Sequence, residues 1–172
     1  QGQKMIPSCS TPKQMEYIVE KTDWACVMLK MGNVGNIQSL VHYIHQNQKK
    51  VMVHLDSLKG IARDKEGIRY LRQIGTDAVI TMRTQNIGMI NEAGMISLLG
   101  AFLVDSASVA QTIVNVRNVS PDVLIAMPIT IPDTVFEQLR KNMAIPIMGG
   151  GLGVSLDVHD PLDLVIIFVG TN

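Results

Sequence analysis

Residues 51–82 read VMVHLDSLKGIARDKEGIRYLRQIGTDAVITM and contain the unit from which the fold can be built. The apolar run VMVHLD (51–56) predicts a strand. The segment KEGIRYLRQIG (65–75) spaces its apolar residues at helical intervals and stops at Gly75, so it predicts a helix. DAVITM (77–82) predicts a second strand. A strand, a helix and a strand in this order indicate two parallel strands joined by a right-handed crossover.

The same alternation continues in both directions along the chain. Upstream it predicts strands at 5–8 and 24–31, a helix that opens at Thr11-Pro12, and a helix at 36–48. Downstream it predicts helices at 84–94, 106–119 and 131–142, and strands within 95–105 and at 122–128, 145–150 and 162–170. Most of these strands are continuous apolar runs, which is typical of a sheet that is covered on both faces.

Eight strands that alternate with helices predict an α/β fold, a small (β/α)8 TIM-type barrel that forms a single domain over residues 1–172. The chain has 172 residues, whereas such barrels usually need at least about 200. The segment GVSLDVHDP (153–161) is short and interrupted by proline, so we expect a degenerate final crossover. A doubly wound open sheet is the alternative.

Composition narrows the classes of function. Hydrophobic residues make up 47% of the chain, charged residues only 17%, and the net charge is zero. Nucleic-acid binders often carry a basic charge overall, so a large electrostatic footprint is not expected, although a local basic patch remains open. No signal peptide is visible and no apolar stretch approaches the roughly 18 residues that span a bilayer. We therefore expect a cytoplasmic protein with no membrane partner.

Polar residues follow several strands at the end where such barrels hold their ligands. His54 and Asp56 close the third predicted strand, and strict alternation would place both on one side. This pair could bind a metal, act as a base or orient a ligand hydroxyl, and a simple hydrogen bond at the rim is the other interpretation. No third metal-binding residue lies nearby in the sequence, so we expect no metal site.

Two further features of the same rim suit an anion. Arg83 follows the fourth strand, where its planar donors fit a phosphate or carboxylate as well as an ordinary ion pair. Glycines 149–151 follow the seventh strand, and Gly170 and Thr171 follow the eighth. The loops after these two strands frequently form a phosphate site in barrels of this kind. We therefore predict a phosphate cradle here, with a tight turn as the alternative.

A basic stretch occupies the loop and helix after the third strand. It is the one local concentration of positive charge along the sequence that could follow an RNA backbone, although a solvated helix face is the other interpretation. Its members are Lys59, Arg63, Lys65, Arg69 and Arg72.

Several segments together resemble the glycerol-3-phosphate-responsive antiterminator family, also called glycerol uptake operon antiterminator proteins. The resemblance covers nearly the whole chain and rests on the order and spacing of its motifs. These are VMVHLDSLKGIARDKEGIRYL (51–71), AVITMRTQNI (78–87), FLVDS (102–106), PDVLIAMPITIP (121–132) and IPIMGGGL (145–152).

The resemblance implies a small barrel that binds sn-glycerol 3-phosphate at its C-terminal rim and then binds an mRNA leader to prevent a terminator from forming. Such a protein is a transcription antiterminator, not an enzyme, that regulates genes of glycerol uptake and metabolism. It needs no cofactor besides this effector. The ligand-binding residues that the resemblance implies are His54, Asp56, Gly60, Arg83, Asp105, Gly150 and Gly151, with Gly170 and Thr171 completing the phosphate cradle.

Two alternatives stay open at the level of sequence, an enzyme and an orphan barrel that has lost its ligand. The chain could be an isomerase or lyase of a small phosphorylated substrate, with His54 or Asp56 as base. Lys30, after the second strand, is the one residue placed for Schiff-base chemistry. Met-rich helix faces and the low charge fraction also suggest a homodimer, although no residue specifies its surface.

Overall fold

The computed structural model describes residues 5–151 and the backbone of a strand at 165–168. Its strands lie close to the predicted segments, because the predicted apolar runs within residues 5–151 supply side chains that are buried in the structure. In chain order they are β1 (Met5–Cys9), β2 (Cys26–Leu29), β3 (Lys50–His54), β4 (Ala78–Thr81), β5 (Ile96–Phe102), β6 (Val123–Met127), β7 (Ile147–Gly151) and β8 (Val165–Phe168).

The helices begin at the capping residues that the sequence offers. Thr11, Asp64 and Asp105 each accept a backbone hydrogen bond from the first turn of the helix that follows, and such caps stabilise helix starts. The described helices are α1 (Pro12–Lys21), α2 (Ile37–Gln46), α3 (Lys65–Gln73), α4 (Ile87–Glu92), α5 (Ser106–Val119) and α6 (Asp133–Asn142). Short 3₁₀ turns at Leu55–Ser57 and Thr84–Asn86 follow β3 and β4.

Strands β1 to β7 are all parallel and pair in chain order, as a TIM-like barrel requires and a doubly wound sheet does not. Their helices lie in the crossovers between them. The predicted α/β class and the alternation of strands and helices are therefore confirmed. The single domain predicted over residues 1–172 stays a prediction.

The eighth strand departs from the predicted pattern. β8 runs antiparallel to both β7 and β1, with Gly150 opposite Ile166 and Met5 opposite Ile167. The prediction of an eighth parallel unit is wrong. A parallel neighbour needs a crossover of about a dozen or more residues, usually with a helix, whereas the sequence before β8 is interrupted by Pro161.

Three clusters of buried side chains hold the barrel together. The interior is filled mainly by long aliphatic and Met side chains, among them Met28, Met52, Met127 and Met148. Outside the sheet, one cluster packs α1, α2 and α3 against β1 to β4. Another packs α5 and α6 against β5 to β7. The two outer clusters divide the helical layer into a part over β1 to β4 and a part over β5 to β7.

Candidate ligand site at the barrel mouth

The barrel mouth is the end at which the seven parallel strands finish, and barrels of this kind bind their ligands there. Alternation of side chains decides which residues face the interior. Met28 and Met52 belong to the interior cluster. Lys30 and His54 each follow one of these methionines by two residues, so they continue the inward-facing rows of β2 and β3. Charged and polar groups therefore face inward on this side of the mouth.

A pocket of about 420 Å³ opens where β1, β2 and β3 end. Its lining contains two lysines and no acidic residue. Within residues 5–151, neither lysine ammonium forms a hydrogen bond or an ion pair with another residue. We call it the lysine pocket; its polar lining residues are Ser10, Lys30, Asn33, Asn36, Ser57 and Lys59.

His54 lies beside this pocket and is half-buried. Its Nδ1 shares a hydrogen bond of 3.0 Å with the hydroxyl of Ser57. Burial lowers the pKa of His54, and the positive charge of Lys30 lowers it further, against an opposing effect of Asp56. A neutral imidazole at neutral pH keeps one N–H donor and one acceptor nitrogen, which suits a hydroxyl group of a ligand.

The loops after β2 and β3 are held together by backbone hydrogen bonds. Lys59 donates to the carbonyl of Gly32 at 3.1 Å and accepts from the N–H of Val34 at 3.0 Å. Gly60 then takes a positive φ of +73°, and a Cβ on it would lie 3.0 Å from Cγ1 of Val34. Gly60, predicted to lie near the ligand, thus forms the turn that follows Lys59.

The side chain of Arg63 stabilises the same loop. Its guanidinium donates to the carbonyl oxygens of Leu55, Leu58 and Ile61 at 2.8 to 2.9 Å. These three bonds direct the side chain toward the loop of its own chain. The sequence assigned Arg63 to RNA, and the structure gives its donors to the loop that carries Lys59.

Asp56 does not share a strand face with His54, because β3 ends at His54 and a 3₁₀ turn begins at the next residue. The expectation from strict alternation is therefore wrong. Its carboxylate accepts from the N–H of Met82 at 2.8 Å and from the hydroxyl of Thr81 at 3.1 Å. Asp56 ties the loop after β3 to the end of β4, and a ligand-binding role stays a prediction.

The inward positions in the other half of the mouth, at β4 and β6, are apolar. Met82 and Met127 continue the inward rows of β4 and β6, and two glycines make room for them. A Cβ on Gly150 would lie 2.8 Å from Cγ2 of Ile125 and 3.1 Å from Cγ of Met127, and a Cβ on Gly100 would collide with Sδ of Met82. These glycines leave space for interior side chains.

The glycines of β7 lie inside a paired strand. Gly149 pairs with Ala126 of β6, while Gly150 and Gly151 lie opposite residues of β8. A Cβ on Gly151 would lie 3.0 Å from the backbone nitrogen of Ile129. The strand predicted at 145–150 is therefore observed over Ile147–Gly151. These residues do not form the tight turn that was the alternative, and the phosphate cradle stays a prediction. Gly170 and Thr171, the rest of the predicted phosphate cradle, lie outside the described residues.

Arg83 and Asp105 lie at the rim beyond β4 and β5. Arg83 is exposed, and within residues 5–151 its guanidinium has no hydrogen-bond partner. Asp105 caps α5, since its carboxylate accepts from the N–H of Ser108 at 2.7 Å. Hydrogen bonds from the backbone and then the side chain of Ser108 lower the pKa of Asp105. Both residues stay predicted ligand contacts.

The predicted RNA-binding residues divide between two places. Lys59 lines the lysine pocket, whereas Lys65, Arg69 and Arg72 line a groove of about 330 Å³ between α3 and α4. In that groove Lys65 pairs with Glu92 at 3.2 Å, and Arg69 pairs with Glu66 at 3.0 Å. The basic stretch is therefore not one continuous patch.

In the described part of the chain, no group of three or more His, Cys, Asp or Glu side chains is arranged to hold a metal ion. None of the helices described combines the length and the apolar character that crossing a membrane requires.

A comparison with known families matches residues 5–171 to the glycerol-3-phosphate responsive antiterminators. The chain belongs to this family. Family members are regulatory proteins, and the match includes both halves of the mouth.

Solved structures agree with this assignment. The glycerol uptake operon antiterminator regulatory protein from Listeria monocytogenes is 28% identical, with a TM-score of 0.79 over 88% of this chain and 82% of that one. A glycerol uptake operon antiterminator-related protein from Thermotoga maritima, 20% identical, has the same fold, with a TM-score of 0.73 over 83% of this chain and 78% of that one.

A curated relative is the uncharacterized protein YgcP of Escherichia coli, which is 26% identical over 125 residues. These residues are 70% of this chain, and the chain spans 63% of the length of that relative. The antiterminator family is thus established by the family match and supported by the structural likeness.

Sequence reasoning placed Lys30 at the rim but left it out of the predicted ligand site, and it did not find Ser10 or Ser57. Lys59 was assigned to RNA because its sequence neighbours are basic. The signal that could have found the pocket is positional, since Ser10 and Lys30 directly follow β1 and β2, and Ser57 and Lys59 lie in the loop after β3. Their closeness depends on how the loops pair, which local sequence does not show.

Proposed function

We propose that this antiterminator responds to sn-glycerol 3-phosphate in the cytoplasm and, with that effector bound, binds an mRNA leader to regulate glycerol uptake and metabolism genes. One observation carries the proposal. A member of a family described as glycerol-3-phosphate responsive has a cationic pocket at its barrel mouth, where such barrels bind ligands. Its volume of about 420 Å³ lies in the range of small-molecule sites.

The effector acts by changing the populations of loop conformations. A ligand shifts an equilibrium only when it binds one state more tightly than the other. The loop that carries Lys59 leads through Arg63 directly into α3, which begins at Lys65. A ligand that binds this conformation of the loop therefore stabilises the start of the helix that carries the remaining basic residues.

The RNA contact of the proposal is the groove between α3 and α4. Arg72 is exposed there, and its guanidinium has no hydrogen-bond or ion-pair partner within residues 5–151. Arg69 and Lys65 would have to exchange their carboxylate partners for phosphates of the RNA backbone. Contacts of this kind carry no sequence information and weaken with salt.

Binding without catalysis is part of the proposal. Proton transfer to a substrate needs a positioned acid or base within hydrogen-bond reach. The carboxylate of Asp56 already accepts hydrogen bonds from Thr81 and Met82. Across the described part of the mouth, the inward positions of β4 and β6 carry Met82 and Met127, which cannot transfer protons. The homodimer stays a prediction.

The test measures binding of the transcribed leader of the glycerol-uptake genes by filter retention. We expect millimolar sn-glycerol 3-phosphate to tighten RNA binding about tenfold or more, within the usual range of allosteric coupling. Glycerol and an unrelated RNA of equal length are the controls. Equal affinity for the leader with and without the effector would remove the proposed function.

A further inference from the structure

We propose that the lysine pocket is the site that binds the phosphate group, with Lys30 and Lys59 as its direct ligands. The ligand class is a small phosphomonoester dianion. That the natural ligand is sn-glycerol 3-phosphate rests on the proposed function, whereas the location of the phosphate does not. The inference moves the phosphate from the β7–β8 side of the mouth, where the sequence placed it, to the β1–β3 side.

The positive charge of the lysine pocket favours an anionic ligand. Two ammonium groups line one pocket that has no acidic lining residue, and neither is neutralised by a partner within residues 5–151. Like charges repel, so bringing Lys30 and Lys59 to one pocket costs free energy unless an anion lies between them. A phosphate dianion neutralises both and accepts charge-assisted hydrogen bonds from them.

Fixed backbone positions are the second argument. Lys30 donates its backbone N–H to the carbonyl of Cys9 at 2.9 Å, at the end of β1. Lys59 is fixed by its two bonds to Gly32 and Val34, and its loop is fixed by Arg63. Because both backbones are already ordered, a ligand has only the lysine side chains to order, which lowers the entropic cost of binding.

The remaining polar groups fit the rest of such a ligand. The hydroxyls of Ser10 and Ser57 line the same pocket, and Ser57 contacts His54 at 3.0 Å. Hydroxyl and imidazole groups can both donate and accept hydrogen bonds. They suit the hydroxyl groups of a glycerol-like ligand, next to the cations that hold its phosphate.

Space excludes the alternative location on the inward face of β7. The volume that a side chain of Gly150 would take is already filled by Ile125 and Met127. Gly149 is also paired with neighbouring strands on both sides, and Gly150 is paired with β8. A phosphate there would have to displace packed thioether and aliphatic groups.

The experiment is titration calorimetry of the whole protein with sn-glycerol 3-phosphate and, separately, with inorganic phosphate at constant ionic strength. The variants are Lys30→Met, Lys59→Met and the double variant, which keep most of the side-chain stem. Lys141→Met is the matched control, because Lys141 is exposed in the last turn of α6, and helices of such a barrel end on the face opposite the mouth.

We expect each single variant to weaken binding of both probes about tenfold or more, the loss of one hydrogen bond between charged groups. The double variant should lose measurable binding while keeping the unfolding temperature of the wild type, and Lys141→Met should bind as the wild type does. Glycerol alone should not depend on the lysines.

Two results would overturn the inference. One is a folded double variant that binds phosphate and sn-glycerol 3-phosphate as the wild type does. The other is a wild-type protein that binds neither probe. Failure of the proposed function looks different: lysine-dependent binding of both probes with no effect on leader RNA would keep this site and remove the antiterminator role.

Discussion

The two halves of the barrel mouth follow one alternating pattern but present different chemistry. At the ends of β2 and β3 the inward positions carry Lys30 and His54, whereas at the ends of β4 and β6 they carry Met82 and Met127. The first half has an open, cationic pocket. In the second, Gly150 and its neighbours pack tightly. Glycine next to a barrel mouth can therefore make room for packed side chains, while the loops of the opposite half form the pocket.

The largest expected effect is at the contact between the halves. Asp56→Ala removes a carboxylate that accepts from Met82 N–H and Thr81 hydroxyl, and hydrogen bonds to charged groups contribute about 1.5–3 kcal/mol each. We expect the free energy of unfolding to fall by about 3 kcal/mol, or about 6–12 °C in Tm for a chain of this size. Thermal unfolding at pH 7.5 measures this.

The matched control for that variant is Asp133→Ala, which removes an exposed carboxylate in the first turn of α6. Equal losses of stability in the two variants would mean that Asp56 does not connect the halves.

The second prediction concerns the packed half. Gly150→Ala places a methyl group 2.8 Å from Cγ2 of Ile125, and overpacking a core costs about 1–3 kcal/mol. Urea unfolding should show this loss, while affinity for sn-glycerol 3-phosphate should stay unchanged. Gly88→Ala in α4 is the control, because a Cβ there has nothing within 4 Å. A Gly150→Ala protein with full stability and lost affinity would restore the phosphate cradle at β7.

The third prediction concerns the loop of the binding half. Arg63→Met removes three hydrogen bonds to carbonyl oxygens, so we expect a loss of about 1–2 kcal/mol in stability and severalfold weaker binding of sn-glycerol 3-phosphate. Arg72→Met, which removes an exposed and unpaired guanidinium of the described chain, should leave both unchanged. If Arg63→Met instead alters only the salt dependence of RNA binding, Arg63 is an RNA contact.

The smallest effect is a pH dependence in the binding half. Burial and Lys30 lower the pKa of His54 in the folded protein, whereas the unfolded chain keeps a value near 6.5. As the pH falls through 6.5 the unfolded state takes up the proton first, so His54 makes the folded protein less stable toward pH 5.5. The loss is at most about 1.4 kcal/mol, because the unfolded state binds at most one more proton than the folded state over the one pH unit below 6.5.

His54→Gln should therefore flatten the stability profile between pH 7.5 and 5.5 in urea unfolding. The control is His42→Gln, since His42 is exposed on α2. If His54→Gln has the same profile as the wild type, the environment of His54 is not the one described.

Local pattern predicted most of the fold and less of the site. Apolar runs such as VMVHLD and capping residues such as Asp64 act over a few neighbouring residues, so strands and helices could be located from them. The direction of β8 could not be predicted, because an apolar run does not show whether its strand pairs parallel or antiparallel to its neighbours. Strict alternation also failed at Asp56, where a 3₁₀ turn begins directly after His54.

The candidate site depended on contacts that are distant in sequence. Lys59 lines the same pocket as Lys30 because the loops after β2 and β3 form backbone hydrogen bonds. Arg63 has the charge of an RNA contact, and only the fold shows that its donors reach three carbonyl oxygens. The glycines of β7 suggest open space for a ligand in the sequence, because the sequence does not show that the side chain of Met127 occupies this space.

A crystal structure with sn-glycerol 3-phosphate bound tests the division of the mouth most directly. We expect the phosphate to lie within hydrogen-bond distance of the Lys30 and Lys59 ammonium groups, with the hydroxyl groups of the ligand toward Ser57 and His54. A phosphate bound instead against the backbone of Gly149 to Gly151 would contradict it.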